Sequence, residues 1–323
     1  MRCALLFLSV AMVFASCGDT PSGPSSGPSS SNARPRVAVI PKGTTHVFWK
    51  SVEAGARAAG DELGIEVVWK GPLQENDRAQ QIQLVQQFVS DEIDGLALAP
   101  LDHAALAPVV ALARSKNIPV VIFDSNLDGQ PGVDFASFIA TDNRAAGQLA
   151  GEHLAKLMGG KGQAVMLRYV VGSASTDARE SGCAASLAAA GITLSVDNRY
   201  AGPTAGEAKT TALNMIDALR EAGGVFCSNE SATNGMLLAL EQMGLSGKLR
   251  FVGFDASPPL VNALREGRLD ALVVQDPRKM GELSVRALAR RLANETVEPQ
   301  IDTGAVLVTR ENMDQPEIAA LLR

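Results

Sequence analysis

Two aspartates occupy matching places in the chain and could bind the hydroxyl groups of a ligand. Asp124 ends the run Val121–Asp124 (VIFD), and Asp255 ends the similar run Val252–Asp255 (VGFD). Each run predicts a buried strand, and ligands of open parallel sheets bind beyond the carboxyl ends of the strands. A single Asp at this place could instead cap the next helix. Because the pattern occurs twice, we expect the two carboxylates to face each other across a cleft between two lobes.

Other aromatic and polar side chains fall at the same predicted edges. Phe48 and Trp49 begin the first predicted helix, where flat rings could cover the apolar face of a sugar. A buried hydroxyl needs both a donor and an acceptor, and Asp, Asn, Gln and Arg offer such groups in pairs. Residues of these types follow predicted strands or stand where the chain crosses between lobes: Asp124, Asn143, Arg179, Asn229, Asp255 and Gln275. The set favours a neutral polyol as the ligand.

Structural roles remain open for several of these side chains. The two asparagines could cap helices, and both aromatic residues could pack the first helix on its sheet. Arg179 could form an ion pair on a helix surface, and Gln275 could lie in a hinge without touching a ligand.

The sequence contains none of the common patterns of catalytic or metal sites. The loop after the first predicted strand (41–46, PKGTTH) has one glycine and lacks the Gly-rich turn that binds nucleotide phosphates. No HExxH or CxxC motif occurs, and no GxSxG nucleophile elbow follows a predicted strand. His46, His103 and His153 are too far apart in sequence to suggest a metal triad. We expect a binding protein without a cofactor or a metal, and not an enzyme.

The elements that must position these residues alternate between β-rich runs and Ala-rich amphipathic segments from Arg36 onward. This spacing predicts parallel sheets covered by helices on both faces. In the first half the predicted strands are Val37–Ile40, Ile65–Trp69, Gly95–Leu98 and Val120–Phe123; in the second half they are Ala164–Leu167, Leu194–Val196, Gly224–Cys227 and Phe251–Phe254. The fold class is therefore α/β, with two doubly wound, Rossmann-like lobes.

The first 35 residues predict an export signal and a tether. An apolar run (4–14) follows Arg2, as in a secretory signal peptide (1–16), and residues 17–35 are rich in Gly, Pro and Ser. Phe14-Ala15-Ser16-Cys17 resembles a bacterial lipobox, which implies lipidation of Cys17. We expect an N-terminal lobe of 36–141 plus 276–298 and a C-terminal lobe of 142–275 plus 299–323.

Composition excludes other classes of protein. The chain has 323 residues, with 29 Lys and Arg against 35 Asp and Glu and a formal net charge of −6. A nucleic-acid-binding protein would gather Lys and Arg on one face, and no such stripe occurs. No apolar run reaches about 18 residues, the length that a membrane-spanning helix needs. Cys183 and Cys227 stand in apolar surroundings that favour free core thiols, although a bridge between them is possible after export.

The order of the motifs resembles that of the ribose-type periplasmic sugar-binding proteins of ABC transporters. The resemblance covers about 36–310 and rests on Phe48-Trp49, Thr141-Asp142-Asn143, Arg179-x-x-Gly182, Ser228-Asn229-Glu230, Val252–Asp255 and Gln275-Asp276-Pro277. It implies a type I periplasmic binding protein fold, like that of lac-repressor effector domains, with two lobes joined by three crossovers. It also implies that a sugar binds in the cleft while the lobes close by a hinge motion.

By this resemblance, Phe48 and Trp49 would cover the sugar ring, and the two strand-end aspartates would accept hydrogen bonds from hydroxyls. The donors would be Arg179, Asn143, Asn229 and Gln275.

The loop after the first strand departs from the ribose-type pattern. Lys42 and His46 stand where small polar groups are usual, and Ala99 replaces an Asn after the third strand. Ile40-Pro41-Lys42 instead resembles the rhamnose- and autoinducer-2-binding branch, in which such a Lys reaches the ligand. Either residue could also be an ordinary loop residue, with Lys42 in solvent.

A charge count of these residues predicts a nearly neutral pocket. Lys42 and Arg179 offset Asp124 and Asp255, provided that His46 is uncharged. An anionic ligand would require surplus cations, because buried unpaired charge is strongly disfavoured. We therefore expect a neutral monosaccharide or a sugar-like diol.

These expectations combine into one predicted function. We predict a monomeric, lipid-anchored solute-binding protein of a carbohydrate ABC importer, exported to the periplasm or cell envelope, which a membrane permease recognises after ligand-driven closure. One alternative is a receptor that presents its ligand to a membrane signalling protein, as in autoinducer or chemotactic sensing. A lac-repressor-type transcription factor would need an N-terminal helix-turn-helix, and a glycosidase would use the two aspartates as acid and base.

Overall fold

The computed structural model describes residues 34–322. The predicted signal peptide (1–16) and the predicted lipidation site Cys17 lie outside the described residues. Within the described range, no helix has both the length and the apolar character that crossing a membrane requires.

The first half of the chain builds five strands and three helices in alternation. The order is β1 (Arg36–Ile40), α1 (Val47–Leu63), β2 (Glu66–Trp69), α2 (Arg78–Ser90), β3 (Gly95–Leu98), α3 (Ala107–Ser115), β4 (Val120–Phe123) and β5 (Ser137–Ala140). The strands β3 and β4 are buried along their whole length, as expected for continuous apolar runs in a covered parallel sheet.

The second half repeats this alternation. The order is α4 (Asn143–Met158), β6 (Gln163–Arg168), α5 (Ala174–Ala189), β7 (Thr193–Tyr200), α6 (Ala205–Leu213), α7 (Ile216–Glu221), β8 (Gly224–Cys227), α8 (Glu230–Gln242), β9 (Arg250–Phe254), α9 (Pro258–Glu266) and β10 (Ala271–Gln275). The chain then ends with α10 (Pro277–Leu292), β11 (Gln300–Asp302), β12 (Ala305–Thr309) and α11 (Pro316–Leu321).

Two six-stranded sheets with the same strand order form the two lobes. The N-terminal sheet runs β11-β5-β4-β3-β1-β2, and the C-terminal sheet runs β12-β10-β9-β8-β6-β7. All pairs are parallel except β10 with β12, which is antiparallel. This repeat confirms the predicted α/β class of two doubly wound lobes.

The chain crosses between the sheets three times, as predicted, but the last crossing differs in position. The first two crossings follow β5 and β10. Gln300 pairs with Phe138 and Asp302 with Ala140, so β11 extends the N-terminal sheet. The predicted boundary, which gives everything from residue 299 to the C-terminal lobe, is therefore wrong for this short edge strand. The third crossing lies at Thr303–Gly304.

Close helix packing in each lobe depends on glycine. A Cβ on Gly55 of α1 would lie 1.9 Å from Arg278 O of α10, and a Cβ on Gly147 of α4 would lie 2.0 Å from Arg179 O of α5. The second contact fixes the backbone of Arg179, one of the predicted site residues, against the first helix of the C-terminal lobe.

Both faces of the C-terminal sheet carry an apolar cluster that contains one cysteine. Cys183 packs in one cluster and Cys227 in the other. Both are buried free thiols, so the structure shows no bridge between them.

Candidate functional site

The two predicted aspartates end equivalent strands in the same unusual backbone conformation. Asp124 follows β4 with φ 61°, and Asp255 follows β9 with φ 67°. The amide of Asp124 donates to Ile139 O at 3.0 Å, and that of Asp255 donates to Val273 O at 2.8 Å. Left-handed backbone is costly for residues other than glycine and is often found at functional sites. Both side chains line one cavity between the lobes.

A buried lysine holds the N-terminal carboxylate. Lys42 Nζ lies 3.0 Å from Asp124 Oδ2, and both side chains are about 5% exposed. The same Nζ donates to Ser175 Oγ at 2.9 Å, at the start of α5 in the other lobe. Lys42 is thus not a solvated loop residue: it joins the Asp124 carboxylate to the C-terminal lobe.

Glu75 was not among the predicted site residues, yet its carboxylate contacts three hydrogen-bond donors, one of them the predicted aromatic residue Trp49. Its Oε1 lies 2.7 Å from His46 Nδ1 and accepts a hydrogen bond from Trp49 Nε1 at 2.7 Å. Its Oε2 accepts a hydrogen bond from the Tyr169 hydroxyl at 2.9 Å. Tyr169 directly follows β6, so this cluster joins both lobes.

His46 and Glu75 form a charged pair. Burial alone would lower the pKa of His46, but the hydrogen bond to Glu75 and the charges of Glu75, Glu230 and Asp255 raise it to about 9. Burial alone would raise the pKa of Glu75, but the His46 hydrogen bond, the charges of His46 and Lys42, and the Trp49 hydrogen bond lower it to about 2. The predicted charge count required an uncharged His46, and this condition does not hold, because Glu75 pairs with the imidazole.

Arg179 is the centre of a buried hydrogen-bond chain in the C-terminal lobe. Its Nε donates to Asn143 Oδ1 at 2.8 Å, its Nη1 to Ser228 O at 3.1 Å and its Nη2 to Gln275 Oε1 at 2.8 Å. Gln275 Nε2 in turn donates to Asp255 Oδ1 at 2.6 Å. Arg179 is therefore not an exposed helix residue, and Gln275 connects it to the Asp255 carboxylate.

The ring of Phe254 fixes the plane of this guanidinium. Arg179 Cζ lies 4.1 Å from the ring centroid, in cation–π contact. Phe254 itself is fully buried and belongs to the core.

The two predicted asparagines have different surroundings. Asn143 does not belong to the cavity lining. Its Nδ2 donates to Asp124 O at 3.3 Å while its Oδ1 accepts from Arg179. Asn229 lines the cavity but also caps α8, since its Oδ1 accepts from Ala232 N at 3.1 Å. Asn143 thus positions other side chains, and the helix-cap interpretation is correct for Asn229.

Glu230 is a second acidic side chain that the prediction left out. Its Oε2 accepts from Phe48 N at 3.3 Å, across the cleft, and its own amide donates to Asp255 Oδ2 at 3.0 Å. Burial raises the pKa of Glu230 to about 6; the charge of His46 opposes this rise and that of Asp255 adds to it. The carboxylate lies among groups that only partly stabilise its charge.

The aromatic residues combine core packing and cavity lining. The rings of Phe48 and Trp49 meet edge to face with centroids 4.9 Å apart, and Trp49 is 6.3 Å from the ring of Phe123. Trp49 is only 3% exposed, yet it borders the cavity. Core and wall are therefore not exclusive roles for this residue.

The structure brings nine of the ten predicted ligand-binding side chains to one cavity, with Asn143 as the exception. The lining also contains side chains that the sequence analysis missed: Glu75, Tyr169, Ser175, Thr176 and Glu230. Four of them stand directly after a strand or in the first turn of the next helix, where the same strand-end rule could have found them. The exception is Glu75, which lies inside the loop between β2 and α2.

The formal charges around the cavity nearly balance. Positive groups are Lys42, His46 and Arg179; negative groups are Glu75, Asp124, Glu230 and Asp255. The cavity therefore offers a ligand many fixed donors and acceptors but no surplus cation. Within residues 34–322, no group of three or more His, Cys, Asp or Glu side chains is placed to hold a metal ion.

Sequence comparison identifies the family. The profile of the periplasmic binding protein domain matches residues 37–296. This chain belongs to the periplasmic binding protein family. A curated family member, the D-ribose/D-allose-binding protein of Pseudomonas aeruginosa, is 28% identical over 288 residues, which cover 85% of this chain and 89% of the relative.

Solved structures of periplasmic binding proteins match both lobes. An ABC transporter solute-binding protein from Agrobacterium vitis with bound D-fucose is 36% identical, with a TM-score of 0.85 over 89% of this chain and 100% of that one. A carbohydrate transporter solute-binding protein from Agrobacterium radiobacter in complex with D-arabinose is 33% identical, with a TM-score of 0.86 over 91% and 100%. These matches confirm the predicted type I fold.

Proposed function

We propose that this protein is the extracytoplasmic substrate-binding component of an ABC importer and that it binds a neutral monosaccharide in the cavity between its lobes. The observation that carries the proposal is the convergence of Asp124 and Asp255, one from each sheet, on a single buried cavity. Fixed carboxylates, a guanidinium and two aromatic rings suit the alternating hydroxyl and C–H surfaces of a sugar.

The charge balance supports an uncharged ligand. Each cation beside the cavity has a carboxylate in contact or bridged by one side chain: Lys42 with Asp124, His46 with Glu75, and Arg179 with Asp255 through Gln275. An anionic ligand would have to displace one of these carboxylates or remain unpaired in a buried place, which is costly. Relatives that bind ribose, allose, fucose or arabinose agree with a pentose or hexose.

Ligand-driven closure is the proposed mechanism. Contacts between the lobes surround the cavity, including Lys42 to Ser175 and Glu230 to Phe48. A ligand that touches both lobes only when they meet shifts the balance towards the closed state by its difference in affinity for the two states. A membrane permease would then recognise the closed protein.

The proposed location is the periplasmic or outer face of a membrane, with a lipid on Cys17 as the anchor. The support is the lipobox-like sequence before Cys17 and the Gly-, Pro- and Ser-rich tether that follows it. Replacing Cys17 with Ser should move the protein from the membrane fraction to the soluble fraction without a change in sugar affinity. Retention in the membrane fraction would contradict lipidation at this residue.

A thermal-shift screen tests the binding function. The purified protein is heated with pentoses, hexoses, deoxyhexoses, polyols, sugar acids and autoinducer-like diols, because a ligand of the folded state raises the melting temperature. We expect a clear shift with at least one neutral monosaccharide. Asp124→Asn should abolish the shift, whereas Asp217→Asn, at a side chain that is 93% exposed, should preserve it. A response confined to sugar acids would overturn the proposal of a neutral ligand.

A further inference from the structure

Glu75 contacts donors from both lobes through both of its carboxylate oxygens. His46 Nδ1 and Trp49 Nε1, from the N-terminal lobe, lie at Oε1. The Tyr169 hydroxyl, from the C-terminal lobe, donates to Oε2. A carboxylate accepts about four hydrogen bonds, so three protein donors leave little capacity for a ligand.

We infer that the Tyr169–Glu75 hydrogen bond is a bond between the lobes that stabilises the closed cleft in the absence of ligand, with Glu75 as the positioning residue for His46 and Trp49. The relevance to affinity depends on the proposed sugar-binding function. The stabilisation of the closed cleft does not depend on that function, because Glu75 and its three donors all belong to the protein.

This contact between the lobes is buried and involves a charged group; the contacts of Lys42 with Ser175 and of Glu230 with Phe48 also involve a charged group. Tyr169 is 1% exposed and Glu75 is 7% exposed. Two further interlobe bonds, His103 N to Gly172 O at 3.2 Å and Ser175 N to Ser125 Oγ at 3.1 Å, join neutral groups. A hydrogen bond to an ionised acceptor is about twice as strong as one between neutral groups. Loss of the tyrosine hydroxyl should therefore shift the lobes measurably towards the open state.

The consequence for binding is a uniform effect on affinity. If closure precedes or accompanies binding, the apparent dissociation constant varies inversely with the fraction of protein in the competent state. Removing a bond that no ligand uses weakens all ligands by one factor. Removing a direct ligand contact weakens only those ligands that carry the matching hydroxyl.

Tyr169→Phe removes the one hydroxyl and keeps the ring. Tyr200→Phe is the matched control, because Tyr200 is the other tyrosine of the chain and is 37% exposed on β7.

The first measurement needs no ligand: spin labels on Leu73→Cys and Val171→Cys, which are 65% and 75% exposed on opposite lobes, report the distance between the lobes. For labelling, Cys3 and Cys17 of the full chain are replaced with Ser. The only other thiols are then Cys183 and Cys227, which are both buried.

We expect the label distances in ligand-free Tyr169→Phe to shift to longer values than in the parent chain and in Tyr200→Phe. Unchanged distances would overturn the inference. Glu75→Gln, which leaves Tyr169 a neutral acceptor, should produce a smaller shift in the same direction and serves as the decisive variant if Tyr169→Phe does not fold.

The second measurement is the affinity for every sugar that the parent chain binds. Tyr169→Phe should raise all dissociation constants by the same factor, about tenfold. A loss confined to some sugars would assign the hydroxyl to direct ligand recognition and overturn the inference. If the parent chain binds no sugar at all, the proposed function fails, while the label distances still decide whether this bond closes the lobes.

Discussion

The two lobes present equivalent aspartates to the cleft but stabilise them differently. Asp124 in the N-terminal lobe contacts a cation, Lys42, through Oδ2. Asp255 in the C-terminal lobe accepts from the neutral amide of Gln275 and from the backbone amide of Glu230. Burial raises the pKa of Asp255, although the charge of Arg179 and the Gln275 hydrogen bond oppose this rise.

The same contrast extends to the second acid of each lobe. Glu75 pairs directly with His46, and its pKa lies well below the usual range of a carboxyl. Among residues 34–322, no cation is in hydrogen-bond contact with Glu230, and the pKa of Glu230 lies above that range. One repeated backbone framework thus provides compensated ion pairs in one lobe and incompletely compensated carboxylates in the other.

The largest expected effect is the loss of the cation in the N-terminal lobe. Lys42→Met leaves Asp124 buried without its partner, and removing one member of a buried pair costs about 3–5 kcal/mol. Gln275→Met in the C-terminal lobe removes a neutral side chain that donates to Asp255 and accepts from Arg179, and should cost about 2 kcal/mol. Urea unfolding of the ligand-free variants at pH 7 measures both. Equal losses would contradict the contrast between the lobes.

Much of the fold and part of the site were predictable from local sequence. Asp124 and Asp255 were found because each ends a buried strand, and the strand repeat itself fixes their placement. Gln275 was found by its residue type among the strand ends and lobe crossings, and Lys42 by resemblance to a family pattern. The pairing of Gln300–Asp302 with β5 was missed, because a three-residue edge strand has too little apolar patterning to show which sheet it joins.

The rest of the site depends on contacts between distant segments. Glu75 lies in a loop with no motif, and its three donors come from positions 46, 49 and 169. The charge of His46 follows from that contact and could not be predicted without it. Asn143 was assigned correctly to a lobe crossing, but the sequence could not show that Arg179 would donate a hydrogen bond to its amide oxygen.

The next largest effect is a loss of folding stability at alkaline pH, which we expect from the N-terminal lobe. The folded pKa of His46 is about 9, against an ordinary value of 6.5, so its stabilising contribution is complete below pH 6.5 and is lost as pH rises through 9. Wild-type protein should lose up to about 3 kcal/mol between pH 6.5 and 9.5 from this group. His46→Gln should lack this slope. His103→Gln, at a more exposed ion pair, should keep it; a slope that persists in His46→Gln would contradict the assignment.

A smaller pH effect on folding stability is expected from the C-terminal lobe, where the titrating group destabilises the fold when it is charged. The folded pKa of Glu230 is about 6, against an ordinary value of 4.5, so ionisation destabilises the fold as pH rises through 6. Glu230→Gln should therefore stabilise ligand-free protein by about 1–2 kcal/mol at pH 8 and leave it unchanged near pH 4. Calorimetric melting at both pH values measures this, with the exposed Glu221→Gln as control. A destabilised variant at pH 8 would show that the carboxylate is fully compensated.

The smallest expected effect concerns a feature that both lobes share, the left-handed backbone at the two strand-end aspartates. Asp124 and Asp255 both have positive φ, a conformation that glycine adopts without strain. Asp→Gly should therefore be more stable than Asp→Ala by about 1 kcal/mol at both positions, although alanine is the larger side chain. Chemical denaturation of the four variants gives the comparison. A preference for alanine at either position would show that the backbone there relaxes without cost.

Calorimetric titration with neutral monosaccharides tests the central claim, that carboxylates from both lobes bind one uncharged sugar in the cleft. We predict binding of one sugar per protein, with an affinity that falls at least about tenfold in Asp124→Asn and, separately, in Asp255→Asn. Sugar binding that is unchanged in both variants would contradict it, as would an absence of binding by every neutral monosaccharide to well-folded protein.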